Sequence, residues 1–292
     1  MLGFPLPCNF ANGMNCPVNM TIRNKETGYA YDSIPYDLPL PDRDLTSRFR
    51  TCAVVGNGGG SLSSALNGAA IDAHEAVFRF NDMLRLNCLD PNSPNAVLCN
   101  ASQVSDTMDI QKQIESQDKK YSPYIGQRTT FRILNKKHAL KLLSLGRSAS
   151  ATSPHFSPDS IEAFLLWHHG CVNAAPKLAR EFPFNRLFMF SANLINWQVD
   201  TYSELRRNFF SLGLGPFPCY AALSSGIHGV LLALRLCERV NLFGFSLYNG
   251  SVSNPVHFRP ISEQPSQAHS WSFDVLLLRL LHFSGKVNAC TG

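Results

Sequence analysis

The chain has 292 residues, and hydrophobic residues at 45% are enough to bury a sizeable core, which excludes a mainly disordered state and fits one large domain or two small ones. Charged residues amount to only 16%, and 26 basic against 21 acidic side chains leave a net +5 with no long block of either sign, which argues against a nucleic-acid-binding tail and leaves room for a local anion pocket. Nine cysteines are too few for a disulfide-built miniprotein and more than most cytosolic enzymes of this size need.

The start, Met1-Leu2-Gly3-Phe4-Pro5, has neither a basic flank nor a signal core, and no run reaches the ~18 apolar residues of a bilayer crossing. The expectation is a soluble polypeptide, or one whose membrane anchor has been removed. Residues 1–49, with Pro5, Pro7, Pro17, Pro35, Pro39 and Pro41 and no sustained period, read as an extended, stem-like lead-in, and residues 50–292 as the folded domain. From there the pattern alternates. Cys52–Val55 is a short apolar run ending at Gly56. A Gly/Ser-rich turn follows, then a helical segment through Ala65–Ala70 and a second run over Ala76–Phe80, a βαβ reading. Further strands are expected at Asn95–Cys99, Thr129–Leu134, Arg186–Phe190 and Val240–Phe245, and an irregular surface loop at Ser144–Ser160. Ile227, Val230, Leu231 and Leu234 recur at helical spacing, so Gly226–Cys237 is expected to be a helix feeding directly into the Val240 strand. A further leucine-rich helix opens after His269. Short strands joined by helices indicate a single α/β domain with a largely parallel central sheet flanked by helices.

Three segments carry chemistry. In Cys52-Ala53-Val54-Val55-Gly56-Asn57-Gly58-Gly59-Gly60-Ser61 the glycines either let a ligand approach the backbone or simply form a tight turn. The lysine of a P-loop is absent, and the glycine spacing departs from the dinucleotide fingerprint. Ser224-Ser225-Gly226 opens the next helix, where two hydroxyls cap the helix or hold a phosphate or carboxylate. His257 and His269 are the histidines singled out, because an imidazole can accept a proton from an attacking hydroxyl near neutral pH. A metal site is poorly supported: no Cys-x-x-Cys or His-x-x-x-His occurs, and Asp42-Arg43-Asp44 lies in the lead-in, where it reads as solvated charge. Sequons at Asn19, Asn100 and Asn249 are glycosylation candidates.

The order and spacing of these strings resemble the eukaryotic sialyltransferase family over residues 50–287. Cys52–Gly58, Ile71-Asp72-Ala73-His74 and Phe78-Arg79-Phe80-Asn81 look like its large sialylmotif. Ser224-Ser225-Gly226 through Leu236-Cys237, with Val240–Phe245, looks like the small one. His257 and His269-x-x-x-x-Asp274 resemble the remaining two, and Gly126–Arg132 is a further family-like string. The resemblance implies a variant GT-A-type (Rossmann-like) sandwich that carries out a metal-independent, inverting transfer of sialic acid from CMP-sialic acid to a hydroxyl of an acceptor glycan, with no cofactor. It implies His269 as general base and His257 as the phosphate-facing donor. Asn57, Gly58, Asn81, Ser224, Ser225 and Gly226 would bind the CMP donor, and Cys52 would pair with Cys237. It also implies a glycoprotein or glycolipid acceptor, no nucleic-acid partner, and a Golgi-lumenal or secreted location.

The chain departs from the family pattern in three places: Asp274 stands where Glu is usual, Phe258-Arg259-Pro260 follow His257, and the lead-in lacks the usual signal anchor. Alternative readings are therefore a CMP-Kdo or other CMP-nonulosonate transferase, a catalytically inactive lumenal nucleotide- or glycan-binding relative, and an unrelated α/β nucleotide-binding domain.

Overall fold

The computed structural model describes residues 40, 44–58, 65–81, 122–151, 162–215, 217, 223–245, 247 and 269–290, without the side chains of 144–151 and 192. Its strands are β1 (Phe49–Val55), β2 (Ala76–Phe80), β3 (Phe131–Leu134), β4 (Ala163–Leu166), β5 (Leu187–Met189), β6 (Cys237–Phe243) and β7 (Asn288–Cys290). They form one sheet of order β5-β4-β3-β2-β1-β6-β7. Every pairing in it is parallel.

Cys52–Val55 of β1 and all of β2, β3 and β4 are buried on both faces, which is why they read as apolar runs rather than alternating ones, interrupted by the buried Arg79 and Arg132. The pleat then divides their side chains. Cys52, Val54, Ala76, Phe78, Phe80, Phe131, Ile133, Val240 and Leu242 enter the main core. Ala53, Val55, Val77 and Phe243 join Ile71 and Ile125 in a smaller cluster, and Leu134, Phe164, Leu166 and Leu187 join a third. The main core is covered by α4 (Ala192–Ser211), α5 (Ser225–Leu236) and α6 (Trp271–Phe283), and the smaller clusters by α1 (Gly68–Asp72), α2 (Lys136–Ala151) and α3 (Ala175–Glu181). The expected α/β sandwich with a parallel sheet is what the chain forms.

Helix α5 lies very close to the sheet. A Cβ added at Gly229 would stand 2.4 Å from the Phe80 ring and 2.8 Å from Ile133 Cδ1. Directly after Leu236 the chain enters β6, whose first residue, Cys237, is disulfide-bonded to Cys52 of β1. The pairing implied by the family resemblance is thus present, and it ties two adjacent strands.

Some element boundaries differ from expectation. The region assigned to a loop from Ser144 is helical as far as Ala151, because α2 carries its backbone ladder through Gly146 and the serines that follow. The Ala65–Ala70 segment becomes helical only at Gly68, leaving Leu66 70% exposed. Strands β4 and β7 and the 20-residue α4 were not anticipated. The expected strand at Asn95–Cys99 and the stem-like residues 1–39 lie outside the described residues. Among the described residues no helix is long and apolar enough to cross a membrane.

Candidate active site

Strands β2 to β5 spread to one side of β1, and β6 and β7 to the other. The strand order therefore reverses between β1 and β6, and in open parallel sheets the crevice at the carboxyl ends of such a pair is where ligands bind.

The glycine turn closes that end of the sheet. Gly56 N–H donates to Phe243 O at 2.8 Å and Gly58 N–H to Gly244 O at 2.9 Å. A Cβ would stand 2.7 Å from Gly244 O at Gly56 and 2.4 Å from it at Gly58. Both glycines are thus needed for strand packing, whatever else approaches them. Between them, Asn57 holds its Oδ1 buried with no hydrogen-bond partner among the described residues, a costly state for a carbonyl oxygen and one that a donor on a ligand would relieve.

Asn57 and Asn81 each stand two residues beyond the paired Val55 and Arg79, so both amides leave the sheet at the same edge. Asn81 has φ +52°, in the left-handed region that asparagine tolerates better than most residues. It is braced from below. Its carbonyl accepts from Arg132 Nη1 at 3.0 Å and its Oδ1 accepts from Asn135 N–H at 3.2 Å. Arg132 in turn donates to both Glu162 oxygens at 2.8 and 3.1 Å, a pair in which the Glu162 side chain is fully buried. The side-chain oxygen of Asn81 is committed to this brace, which leaves the Nδ2 hydrogens as its donors at the edge.

The Ser224-Ser225-Gly226 turn serves as a cap first. Ser224 Oγ accepts from Ile227 N–H at 3.2 Å, which caps α5. Ser225 Oγ accepts from Trp167 Nε1 at 2.9 Å, so its own hydrogen remains to be donated. A Cβ at Gly226 would lie 3.1 Å from the Phe245 ring.

His269 precedes α6 and meets Trp271 edge-on at 5.1 Å. Asp274, in the first turn of that helix, is 5% exposed and accepts from Tyr202 O–H at 2.6 Å. Burial raises its carboxyl to about 6, against the opposing pull of the Tyr202 and Ser224 hydroxyls. Asp274 therefore ties the helix that follows His269 to Tyr202 of α4, while its Oδ2 is buried without a hydrogen-bond partner among the described residues. The large-motif residues Asp72 and His74 also have structural roles. The Asp72 carboxylate accepts from the backbone N–H groups of Gln127 and Arg128 at 2.8–2.9 Å, which fastens the family-like string Gly126–Arg132 to α1. His74 Nδ1 meets Ala70 O at 2.7 Å and its Nε2 meets Asn241 Nδ2 at 2.6 Å.

Asn57, Gly58, Asn81, Ser224, Ser225 and Gly226 thus share the carboxyl edge of the sheet, and His269 is joined to it through α6. His257 and the sequons at Asn19, Asn100 and Asn249 lie outside the described residues. Sequence reasoning missed Trp167, Gln198, Tyr202, His228 and the Arg132–Glu162 pair. The available signal was a polar residue, His228, one position from Ile227 in the mostly apolar run Ile227–Leu234. Among the described residues no three histidine, cysteine or acidic side chains are grouped to hold a metal ion.

The family model for Glycosyltransferase family 29 (sialyltransferase) matches residues 9–85, which takes in the glycine turn and Asn81 and extends back into the lead-in. Sialyltransferase-like protein 5 of Oryza sativa subsp. japonica is 24% identical over 200 residues, 68% of this chain. The matched part spans 28% of that relative's length. Solved structures of a mammalian sialyltransferase, and of one in complex with Gal-beta-1-3GalNAc-ortho-nitrophenol, align with 94% of this chain and 89% of theirs at 16% identity and a TM-score of 0.47. The resemblance to sialyltransferases read from the motifs stands on the family match and the rice relative.

Proposed function

We propose that this chain is a metal-independent, inverting glycosyltransferase that moves sialic acid from CMP-sialic acid to a hydroxyl of an acceptor glycan. The observation that carries the proposal is the gathering of Asn57, Asn81 and Ser225 at one end of the sheet, in a chain whose glycine turn falls within a sialyltransferase family match. Asn57 offers a buried acceptor with no partner among the described residues, and Asn81 and Ser225 offer donors. That is the mixed polarity a nucleotide with a ribose and a phosphate requires.

In the proposed reaction the acceptor oxygen attacks the anomeric carbon as the bond from that carbon to the CMP phosphate breaks. The hydroxyl proton passes to His269, and the electron pair of the broken bond leaves on the phosphate. Donors at that phosphate, His257 among them, offset the developing charge, so neither a cation nor a cofactor is needed. The acceptor is a glycan on a protein or lipid. The Cys52–Cys237 disulfide supports an oxidising location such as the Golgi lumen.

The test is CMP release from CMP-sialic acid and, separately, from CMP-Kdo, each with a panel of galactosides and with or without EDTA. Release from CMP-sialic acid that depends on acceptor, survives EDTA and is lost in His269→Ala is the expected result. Release from CMP-Kdo alone reassigns the donor. CMP binding by calorimetry with no release from either donor overturns the enzymatic reading in favour of a binding protein.

A further inference from the structure

A second group of polar side chains stands at the carboxyl edge of the sheet. β3 runs into Asn135 and Lys136, and β4 runs into Trp167, His168 and a short 3-10 turn, His169–Cys171. His168 Nδ1 accepts from Gly170 N–H at 3.0 Å, so the ring hydrogen sits on Nε2. His169 stacks on that ring at 4.4 Å and Trp167 meets it edge-on at 5.4 Å, which fixes its plane. The stem of Lys136 lies against the same turn. A Cβ added at Gly170 would stand 2.7 Å from Lys136 Cδ and 3.1 Å from His168 Nδ1. The glycine is what lets the lysine and the ring close on one point. His168 and His169 are half-buried and Lys136 is exposed, so a solute can reach the group.

The group adjoins the donor site described above at two points. Asn135, one residue before Lys136, donates its N–H to Asn81 Oδ1 at 3.2 Å, and Trp167, one residue before His168, donates Nε1–H to Ser225 Oγ at 2.9 Å. Its electrostatics have one sign. Burial holds the His168 ring down to about 4, and His169 and Lys136 push in the same direction. His169 is lowered by burial and by Lys136. The other titratable groups beside the ring carry no negative charge at neutral pH. The Cys171 thiol is pushed up to about 12 by burial, and His228 of α5 is held down to about 3 by burial, with its Nδ1 2.6 Å from Gln198 Oε1. Among the described residues no carboxylate acts on His168. A fixed ring N–H beside an ammonium, with no acid to neutralise them, is suited to a singly charged group with two oxygens. The donor's phosphate already has its donors in the reaction above, which leaves the carboxylate of an acidic sugar.

We propose that His168 Nε2–H and the Lys136 ammonium form a subsite for a sugar carboxylate, carried either by the transferred nonulosonic acid or by an acidic residue of the acceptor glycan. The proposal rests on the glycosyltransferase reading above and names the substrate chemistry selected next to Asn81 and Ser225. Lys136 supplies the charge and His168 the directional donor, while the stack on His169 keeps the ring in place. A neutral galactoside offers this pair no charge to pair with.

The probes are N-acetylneuraminate and galacturonate, with galactose as the neutral control. The readout without turnover is the titration of ¹⁵N-labelled histidine rings, with the His168 signal assigned from His168→Asn. At least one acid is expected to raise the His168 midpoint, because a bound carboxylate favours the charged ring, and galactose is expected to leave it in place. Lys136→Gln, at an exposed position, is expected to weaken binding of that acid by about 10-fold or more. His168→Asn keeps an oxygen for Gly170 N–H and removes Nε2–H. In turnover, a raised KM for the CMP-sugar in both variants places the carboxylate on the donor. A raised KM for a uronate-bearing acceptor, and not for its neutral counterpart, places it on the acceptor. Should His168→Asn fail to fold, Lys136→Gln carries the test through binding and KM. If an acid raises the His168 midpoint and no donor is turned over, the glycosyltransferase reading fails and the carboxylate site stands. The proposal is overturned if neither acid moves the ring, if CMP alone moves it as far as CMP-sialic acid does, or if Lys136→Gln matches the parent in both binding and KM.

Discussion

Replacing Asp274 by Asn tests the internal charge balance of the site. Asp274 is 5% exposed, and its carboxyl is raised from an ordinary 3.8 to about 6, a displacement worth about 3 kcal/mol. The folded chain thus prefers the protonated form. Its contribution to stability is fully present below 3.8, declines as the pH rises, and is gone above about 6. His228 has the opposite sign. Its value falls from 6.5 to about 3, so its contribution is present above 6.5 and is lost as the pH falls toward 3. The raw pH curve of the parent mixes the two, whereas the difference between parent and Asp274→Asn isolates the carboxylate. Urea unfolding at intervals from pH 4 to pH 7 is the assay. Stability should shift in favour of Asn by about 2.4 kcal/mol across that window, since the amide can still accept from Tyr202 O–H and carries no charge. A difference that stays constant with pH would refute the assignment, because Asp274 would then titrate as it does in the unfolded chain.

Two further perturbations probe the supports of the site. Cys237→Ala opens a loop of sequence separation 185, for which chain-entropy closure sets an upper limit of about 5 kcal/mol. Unfolding midpoints of parent and variant, with and without reductant, should converge once the parent is reduced. Glu162→Gln leaves Arg132 buried and unpaired, which should cost about 3 kcal/mol. Because Arg132 also holds the Asn81 carbonyl, the same variant should weaken CMP binding by calorimetry, with no effect expected if Asn81 lies off the nucleotide path.

The fold was legible wherever burial and period coincide. Cys52–Val55 of β1, Ala76–Phe80 of β2 and Val240–Phe243 of β6 are largely buried and mostly apolar, and their runs end at glycine or asparagine, so their positions could be read directly. β4 was missed because Ala163-Phe164-Leu165-Leu166 has no β-branched residue and is as compatible with a helix as with a strand. The longer α4 was readable in principle. Ser191 caps it through Leu194 N–H, and Ile195, Val199, Tyr202 and Arg206 recur on one buried face. Arg206 sits in that stripe because its guanidinium reaches the Phe217 carbonyl, a partner no local pattern displays.

The site was legible to a different depth. Motif order brought Asn57, Asn81 and the serine turn together, but each residue type allowed a bland reading, and the structure gives most of them that bland role as well. Gly56 and Gly58 are required by Gly244, Ser224 by the helix cap, and Asn81 by the Arg132 brace. Structural and chemical demands therefore fall on the same residues, so a substitution there cannot separate them by loss of activity alone. The residues that can be separated are those with a group left over: Asn57 with its buried oxygen, Ser225 with its hydrogen, and His228 with its bare nitrogen. In a packed interior an unmatched polar atom costs on the order of 1–3 kcal/mol. Among the described residues Asn57 Oδ1 and His228 Nε2 are in that state, as are Thr129 Oγ1, Ser270 Oγ and Asp274 Oδ2, and a donor on a ligand bound at the carboxyl end of the sheet would relieve it at Asn57.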